Sequence, residues 1–420
     1  MFELILYLTG FLFCTYVIYL VFDYVKSLRK SPRELWLLMG SQVFEITAYT
    51  VVDFTLVLFL SYDMGLSDMA AGNFVGTWTT ATVIITFFIG TLVDATGVRR
   101  ILLTGTVITL VSRIFLAFFH NYWLLVILSF MPMAVSLAML GPVIAVAVKQ
   151  YTTEKTSIMG FGLYMTIMNV MTAVAAHLFD TIRELSSGGK IEIPFTGEVS
   201  AYRTELIVAA IITLPSFVFI LFLRRSVFMQ DDSKIIIKNE NSDKQDGWLG
   251  KIMIQTTVDS FKRAAGIFKE VISQPLFWRF MLLITLLFGV KFVFFHFVYT
   301  FPKYGIRILG ENAPVGTLFG TLHAVLITIL LPAITSWTKK VRPYSMITIG
   351  TFVSAFSVFM LSLPEQYFIP LSKTSFGTLI IEKWLGISEA GPTVSALYVM
   401  IVLTVAIFTV GEAMWAPRIM

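Results

Sequence analysis

Residues Gly90–Arg100 read GTLVDATGVRR, a short charged turn between two long apolar runs. Gly90 lets two helices approach where a side chain would hold them apart. Asp94 closes one helix and can cap a neighbouring helix N-terminus, where the backbone dipole is positive. Gly97 permits a tight reversal. Arg99 and Arg100 hold the turn on the positive side of a membrane.

The composition around this turn is that of a membrane protein. Of 420 residues, 57% are hydrophobic and 14% charged, and the mean hydropathy is +0.82. A soluble domain carries about 25% charged residues. The apolar excess falls in runs of about twenty residues, enough to cross a hydrocarbon core of about 30 Å. The single Cys14 excludes an intramolecular disulfide. The net charge of +5 is no nucleic-acid signal, because the basic residues fall in alternate loops.

The pattern G-x-L-x-D-x-x-G-x-R-R between membrane helices resembles the signature loop of the major facilitator superfamily. Gly90, Leu92, Asp94, Gly97, Arg99 and Arg100 match, and Ala95 departs where the family often has a basic residue. The resemblance implies two six-helix bundles around a midplane site. It also implies that Asp94 faces a late helix of the second bundle.

In chain order, Leu4–Phe22 reads as a retained membrane helix, since no basic stretch precedes it and no small-residue cleavage site follows. Six runs follow: Leu35–Leu60, Met69–Val93, Ile101–Phe119, Tyr122–Val148, Ser157–Leu178 and Glu205–Leu223. Asp180–Arg203 reads as a polar loop. Arg224–Gln274 separates two halves. Its Gln230–Gly247 part is charged and reads as flexible. Ile254, Val258, Phe261, Ala265, Phe268 and Ile272 recur at helical steps, as in an amphipathic helix on the membrane surface. The second half holds Phe277–Tyr299, Val315–Thr335, Ser345–Leu363 and Ser395–Met414, with Pro302–Pro314 and Pro364–Thr393 as polar connections. Lys339, Lys340 and Arg342 stand where the family often repeats its signature, without the Gly and Asp.

The expected fold is therefore all-α and polytopic: a major-facilitator-like two-bundle protein with one extra N-terminal transmembrane helix. The divisions are 1–34 (extra helix and basic linker), 35–223 (six-helix bundle), 224–274 (cytoplasmic loop) and 275–420 (four helices). That is two helices short of the family core, and Ala416-Pro417-Arg418 reads like a helix end in a chain that continues. Alternate assignment puts Lys26, Arg29, Lys30, Arg33, Arg99, Arg100 and the central segment on the cytoplasmic side, with Met1 outside. A plasma membrane or bacterial inner membrane is favoured over an organelle.

Ionisable groups inside a bilayer cost at least about 2.5–3.5 kcal/mol each at a helix centre, so they are functional candidates. Glu45, Tyr49 and Asp53 share one helix face through their spacing of four. Counted by helical rise, Asp53, Arg113 and Lys291 lie about 9–12 Å below the outer interface, where an acid and two bases can meet across a cavity. Glu45 lies deeper and is the candidate proton carrier. The plainer reading of these groups is a structural ion pair between helices. Lys291 is preferred to His296, which points about 140° away. His120, His177 and His323 read as interfacial or satisfied polar residues, and Glu412, near the inner end of the last run, as an inner-gate candidate or a snorkelling side chain. Around Glu45 the chain is distantly similar to the proton-coupled oligopeptide transporters. Glu45 stands at the acid of their Glu-Arg-Phe signature, but Ile46 and Thr47 replace the Arg and Phe. Gly65-Leu66-Ser67-Asp68 and Gly411-Glu412…Pro417 are also alike, whereas Gly141 stands where that branch has a lysine and Asp53 where it has a substrate-binding arginine.

The function expected is a secondary transporter moving a small polar or charged solute, coupled to protons. Its partners are that solute, protons and the lipid bilayer, with no nucleic acid. A protein partner could bind through the extra helix or the central loop, and a transport-dead scaffold is the rival reading. No H-E-x-x-H, G-x-S-x-G or G-x-x-x-x-G-K-[ST] occurs, so no enzyme, cofactor or metal site is expected.

Overall fold

The computed structural model describes residues 15–16, 18–19, 21–186, 190–193, 197–224, 227–229, 235–237, 273–338, 340–387 and 391–419. Six long helices precede the central segment: α1 Arg33–Leu58, α2 Asp68–Thr96, α3 Val98–Phe118, α4 Tyr122–Gln150, α5 Ser157–Leu185 and α6 Ala201–Leu221. Four follow it: α7 Pro275–Leu309, α8 Leu322–Trp337, α9 Pro343–Phe359 and α10 Pro392–Ile419. Among the described residues eight helices are long and apolar enough to cross a membrane. The chain is an all-α, multi-pass integral membrane protein. Hydrocarbon offers backbone groups no partner, so each crossing must satisfy its own amides. Hydroxyls inside these helices do the same, as where Thr47 donates to Val43 O at 2.7 Å and Thr404 to Met400 O at 2.8 Å.

The eleven-residue turn expected at Gly90–Arg100 contracts to a single residue. Helix α2 runs through Gly90 and Asp94 to Thr96, and α3 opens at Val98. Gly97 makes the whole reversal at φ 84°, ψ 155°, a conformation a Cβ would not tolerate. The loops expected at Asp180 and Pro302 also shrink. Helix α5 carries Asp180 and Arg183 to Leu185, and α7 passes through Pro302 to Leu309. An interior proline is tolerated in a membrane helix where neighbours re-satisfy the freed carbonyl. The break comes instead at Gly310, with φ 102°.

Helix α1 is prolonged by a π-helical turn, Phe59–Asp63, and another, Thr317–Thr321, precedes α8. Two short hairpins were not foreseen. Lys190–Ile193 pairs with Gly197–Ser200. Val227–Met229 pairs antiparallel with Ile235–Ile237; the second strand lies inside Gln230–Gly247, read as flexible, where three consecutive β-branched side chains favour extended backbone. The amphipathic helix expected over Ile254–Ile272, residues 4–14, 17 and 20 of the first run, and Lys339 lie outside the described residues.

By contacts the chain divides into two compact units. One comprises Asp23–Met168 and Ile191–Leu286, the other Met1–Phe22, Asn169–Lys190 and Leu287–Met420. In the first, α1 lies against α6, α3 against α4 and α6, and α2 against α4. Its core gathers Leu35, Leu38, Val98, Ile101, Val143 and Ile220 around the Gly97 reversal. In the second, α10 packs on α8 and α9. There Gly350 and Gly411 bring α9 and α10 so close that a Cβ on Gly411 would lie 2.7 Å from the Gly350 carbonyl oxygen.

Gly411→Ala should therefore cost about 1–3 kcal/mol through overpacking. Gly141→Ala, with nothing within 4 Å of the new methyl, should be neutral or gain up to about 1 kcal/mol of helix propensity. Thermal unfolding of both variants in detergent tests the ranking, and the reverse order would refute the close crossing.

Candidate functional site

Arg113 on α3 reaches Glu45 on α1 with both terminal nitrogens, NH2 to Oε1 at 2.8 Å and NH1 to Oε2 at 3.2 Å. NH1 also donates to Thr213 Oγ1 on α6 at 2.5 Å. The side chains are 1% and 9% exposed. A planar fork on a carboxylate is the strongest ordinary ion-pair geometry, and here it ties three helices at one level. The Nε–H of Arg113 is buried and has no acceptor among the described residues.

This corrects the depth count, which placed Arg113 with Asp53 and left Glu45 about two turns away. The count located Cα atoms. Helical side chains lean toward the helix N-terminus, and Arg113 is long enough to carry its charge a turn or more that way, to Glu45. Tyr49 and Asp53 lie on the same face of α1, Tyr49 exposed and Asp53 half-buried. Lys291 is in α7, and its side chain lies outside the described residues, as do those of Asp94 and His296. The structure thus brings together Glu45 and Arg113 of the expected cluster.

The signature turn has a job the sequence did not disclose. Arg99 donates from Nε to Leu223 O at 2.5 Å and from NH2 to Leu221 O at 3.4 Å, at the end of α6. Helix C-termini leave carbonyls unpaired and carry negative partial charge, so a cation there is stabilising. The same end is held from two other sides. Arg224 grips the fully buried Glu34, Nε to Oε1 at 2.6 Å and NH2 to Oε2 at 3.2 Å, and Gln150 donates to Val227 O at 2.6 Å. Nearby Tyr151, just past α4, has its phenol pushed above the ordinary value by burial first and by the Glu34 carboxylate second.

Three further charged clusters escaped the sequence. Arg203 lies 3.7 Å from Asp63 and donates to the last carbonyls of α3, Ala117 O at 3.2 Å and Phe119 O at 3.1 Å. Asp180 accepts from the backbone N–H of Gly316 at 2.9 Å and of Thr317, while Arg183 donates to Ala313 O at 3.1 Å and to Glu311 O. His323 Nε2 lies 2.7 Å from Glu412 Oε2, so the two side chains satisfy each other. The only available signal was charge inside helix-length runs, which does not say who pairs with whom. A cavity of about 330 Å³ lies beside α5 and α8, lined by Asn169, Ala173, His177, Ala324 and Thr328 among others. Among the described residues no group of His, Cys, Asp and Glu could hold a metal ion.

Comparison with known proteins agrees with this geometry at the level of the fold. The family model described as Major Facilitator Superfamily matches residues 38–414. A structure reported for substrate recognition in proton dependent oligopeptide transporters superposes with a TM-score of 0.62 at 13% identity, covering 92% of this chain and 82% of that one. A POT family transporter in complex with a thioalcohol conjugated peptide gives 0.61 at 13% identity, covering 93% and 85%. One in complex with 5-aminolevulinic acid gives 0.58 at 12% identity, covering 93% and 85%. No curated protein sequence matches the chain.

Removing one partner of a buried pair strands the other, at about 3–5 kcal/mol, whereas replacing both with apolar groups can be nearly neutral. Arg113→Met should thus lower the thermal midpoint in detergent sharply, and Glu45→Leu/Arg113→Met should restore much of it. Equal losses in the single and double variants would show that the two side chains do not depend on each other.

Proposed function

Because the chain belongs to the major facilitator superfamily, a superfamily of membrane transporters, we propose that it is a secondary transporter of a small polar or charged solute. It works by alternating access and is coupled to protons. The observation that carries this reading is Arg113, a buried guanidinium in a membrane-spanning helix that grips Glu45 and still has a donor to spare. A buried donor left without a partner is costly, so the Nε–H of Arg113 is open to an acceptor that the solute brings. A proton arriving on Glu45 removes the charge that holds Arg113, and Arg113 then meets an acidic group of the solute. Tyr49 and Asp53, one and two turns along the same face, line the path.

The bundles 35–223 and 275–420 rock about that path, as in other repeat-built carriers, joined by the cytoplasmic 224–274. Lys291 of α7 is a further candidate for solute or proton coupling, and Glu412 a candidate for the inner gate. The signature residues Gly90, Asp94, Gly97, Arg99 and Arg100 keep the α2–α3 turn compact, and the bonds from Arg99 to the α6 end support a conformational role for them. Met1 lies outside and the central loop in the cytoplasm. Small peptides and amino-acid-like zwitterions are the first solutes to try, since structures of similar fold hold a peptide conjugate and 5-aminolevulinic acid.

The test is proton entry into proteoliposomes loaded with a pH-sensitive dye under an imposed pH gradient, with a panel of such solutes added outside. Solute-dependent acidification is expected, falling about tenfold or more in Glu45→Gln and in Asp53→Asn, in line with the loss of an essential proton-transfer group. Unchanged gradient-driven uptake in both variants would remove proton coupling. A protein that moves no solute under any gradient would favour the partner-binding scaffold.

A further inference from the structure

We propose that His323 and Glu412 form a second proton-binding site, where one proton is held between imidazole Nε2 and carboxylate Oε2. The atoms are 2.7 Å apart, and the two side chains are 11% and 9% exposed. One lies on α8, in the membrane-crossing span Thr317–Thr335, and the other on α10, in the span Pro392–Arg418. The charge count is simple. Without a proton the pair carries a net charge of −1. A proton taken from water, bonded to Nε2 or to Oε2, brings it to zero, and returning that proton to water restores the charge. In a poorly solvated site the neutral pair is the state compatible with closure, and the charged pair needs water or a counter-charge. A site that gains a proton when shut and loses it when wetted is what coupling demands.

The surroundings aim the two groups. The imidazole stacks on Phe319, with centroids 5.6 Å apart and planes 22° apart, and its other flank meets Phe408 at 6.4 Å. Phe319 belongs to the π-helical turn Thr317–Thr321, whose wider winding turns the residues after it about the axis and sets the direction of His323. On the other side, Gly411 presses against α9, so the backbone beside Glu412 has little freedom. Packing alone does not require the pair, because two apolar side chains of similar volume would hold these helices as well or better.

Other titratable or charged groups stand on the elements packed around it. Helix α9 has Tyr344. Helix α10 has Tyr398 and Arg418, the latter donating to Thr338 O at 2.9 Å. Helix α5 has Tyr164, His177, Asp180, Arg183 and Glu184, the described part of α7 has Arg279, Tyr299, Lys303, Tyr304 and Arg307, and the short turns packed on α10 have Glu365, Tyr367, Glu382 and Lys383. Thr321 donates to Ala173 O on α5 at 3.2 Å, and Phe301 on α7 meets Phe319 at 5.9 Å.

The proposal relies on the transporter reading for its purpose and on the geometry alone for its existence, so two measurements separate them. The first is a pH titration of the nitrogen-15-labelled histidines of the full chain in liposomes, needing no solute. The chain has four histidines, and His323→Gln assigns the signal. His323 should exchange its proton reversibly, and that exchange should respond to Glu412→Gln, as for a charged neighbour at contact distance. Glu412→Asp, which keeps the charge, should restore it. A signal that never changes state, or a midpoint indifferent to Glu412→Gln, overturns the site. The second is the dye-loaded assay with the solute that gives the largest acidification. Both neutral variants should lose about tenfold or more of the acidification. Full acidification in both would show that the site plays no part in coupling, even where the titration succeeds.

Discussion

A charge placed in hydrocarbon must bring its partner along, and that constraint organises this chain. Glu45 has Arg113, Glu34 has Arg224, Asp63 has Arg203 and Glu412 has His323. Each pair joins elements far apart in sequence. The apolar runs decide that there will be helices. They say little about which helices touch, because lipid tails are as apolar as Leu and give no preference for a neighbour. The ionic pairs and the glycine contacts supply that preference.

Cations near helix ends do a second task. Arg99 and Arg203 both spend guanidinium donors on terminal carbonyls of another helix, Arg99 on α6 and Arg203 on α3. In water such carbonyls would be solvated. At the edge of a bilayer, a long side chain from a neighbouring helix does the same and fixes the axial register of the two helices. The Gly97 reversal belongs to this economy of length. By using one residue to turn, it places Arg99 in the first turn of α3, within reach of the end of α6.

The helical fold and the family were legible in the apolar runs and in Gly90–Arg100, because bilayer thickness and turn chemistry are local constraints. Helix ends were less legible. Asp180, Arg183 and Pro302 look like loop residues by type, yet they sit inside helices whose polar ends are satisfied by tertiary contacts absent from any local pattern. The candidate site was legible in its members and not in its pairing. Counting helical rise located Cα atoms, whereas the charge of Arg113 lies a long side chain away, so it met Glu45 and not Asp53. His323 and Glu412 were each noticed and never joined, since 89 positions separate them and no spacing rule spans such a gap.

The grip of Asp180 and Arg183 has a mechanical consequence. Four hydrogen bonds join one turn of α5 to the backbone of residues 311–317, two accepted by Asp180 and two donated by Arg183. Pulling α5 from that strip stretches them together, and losing the first weakens the rest. Such a clasp yields abruptly instead of flexing, so that end of α5 behaves as a detent: engaged or free, with little time spent between.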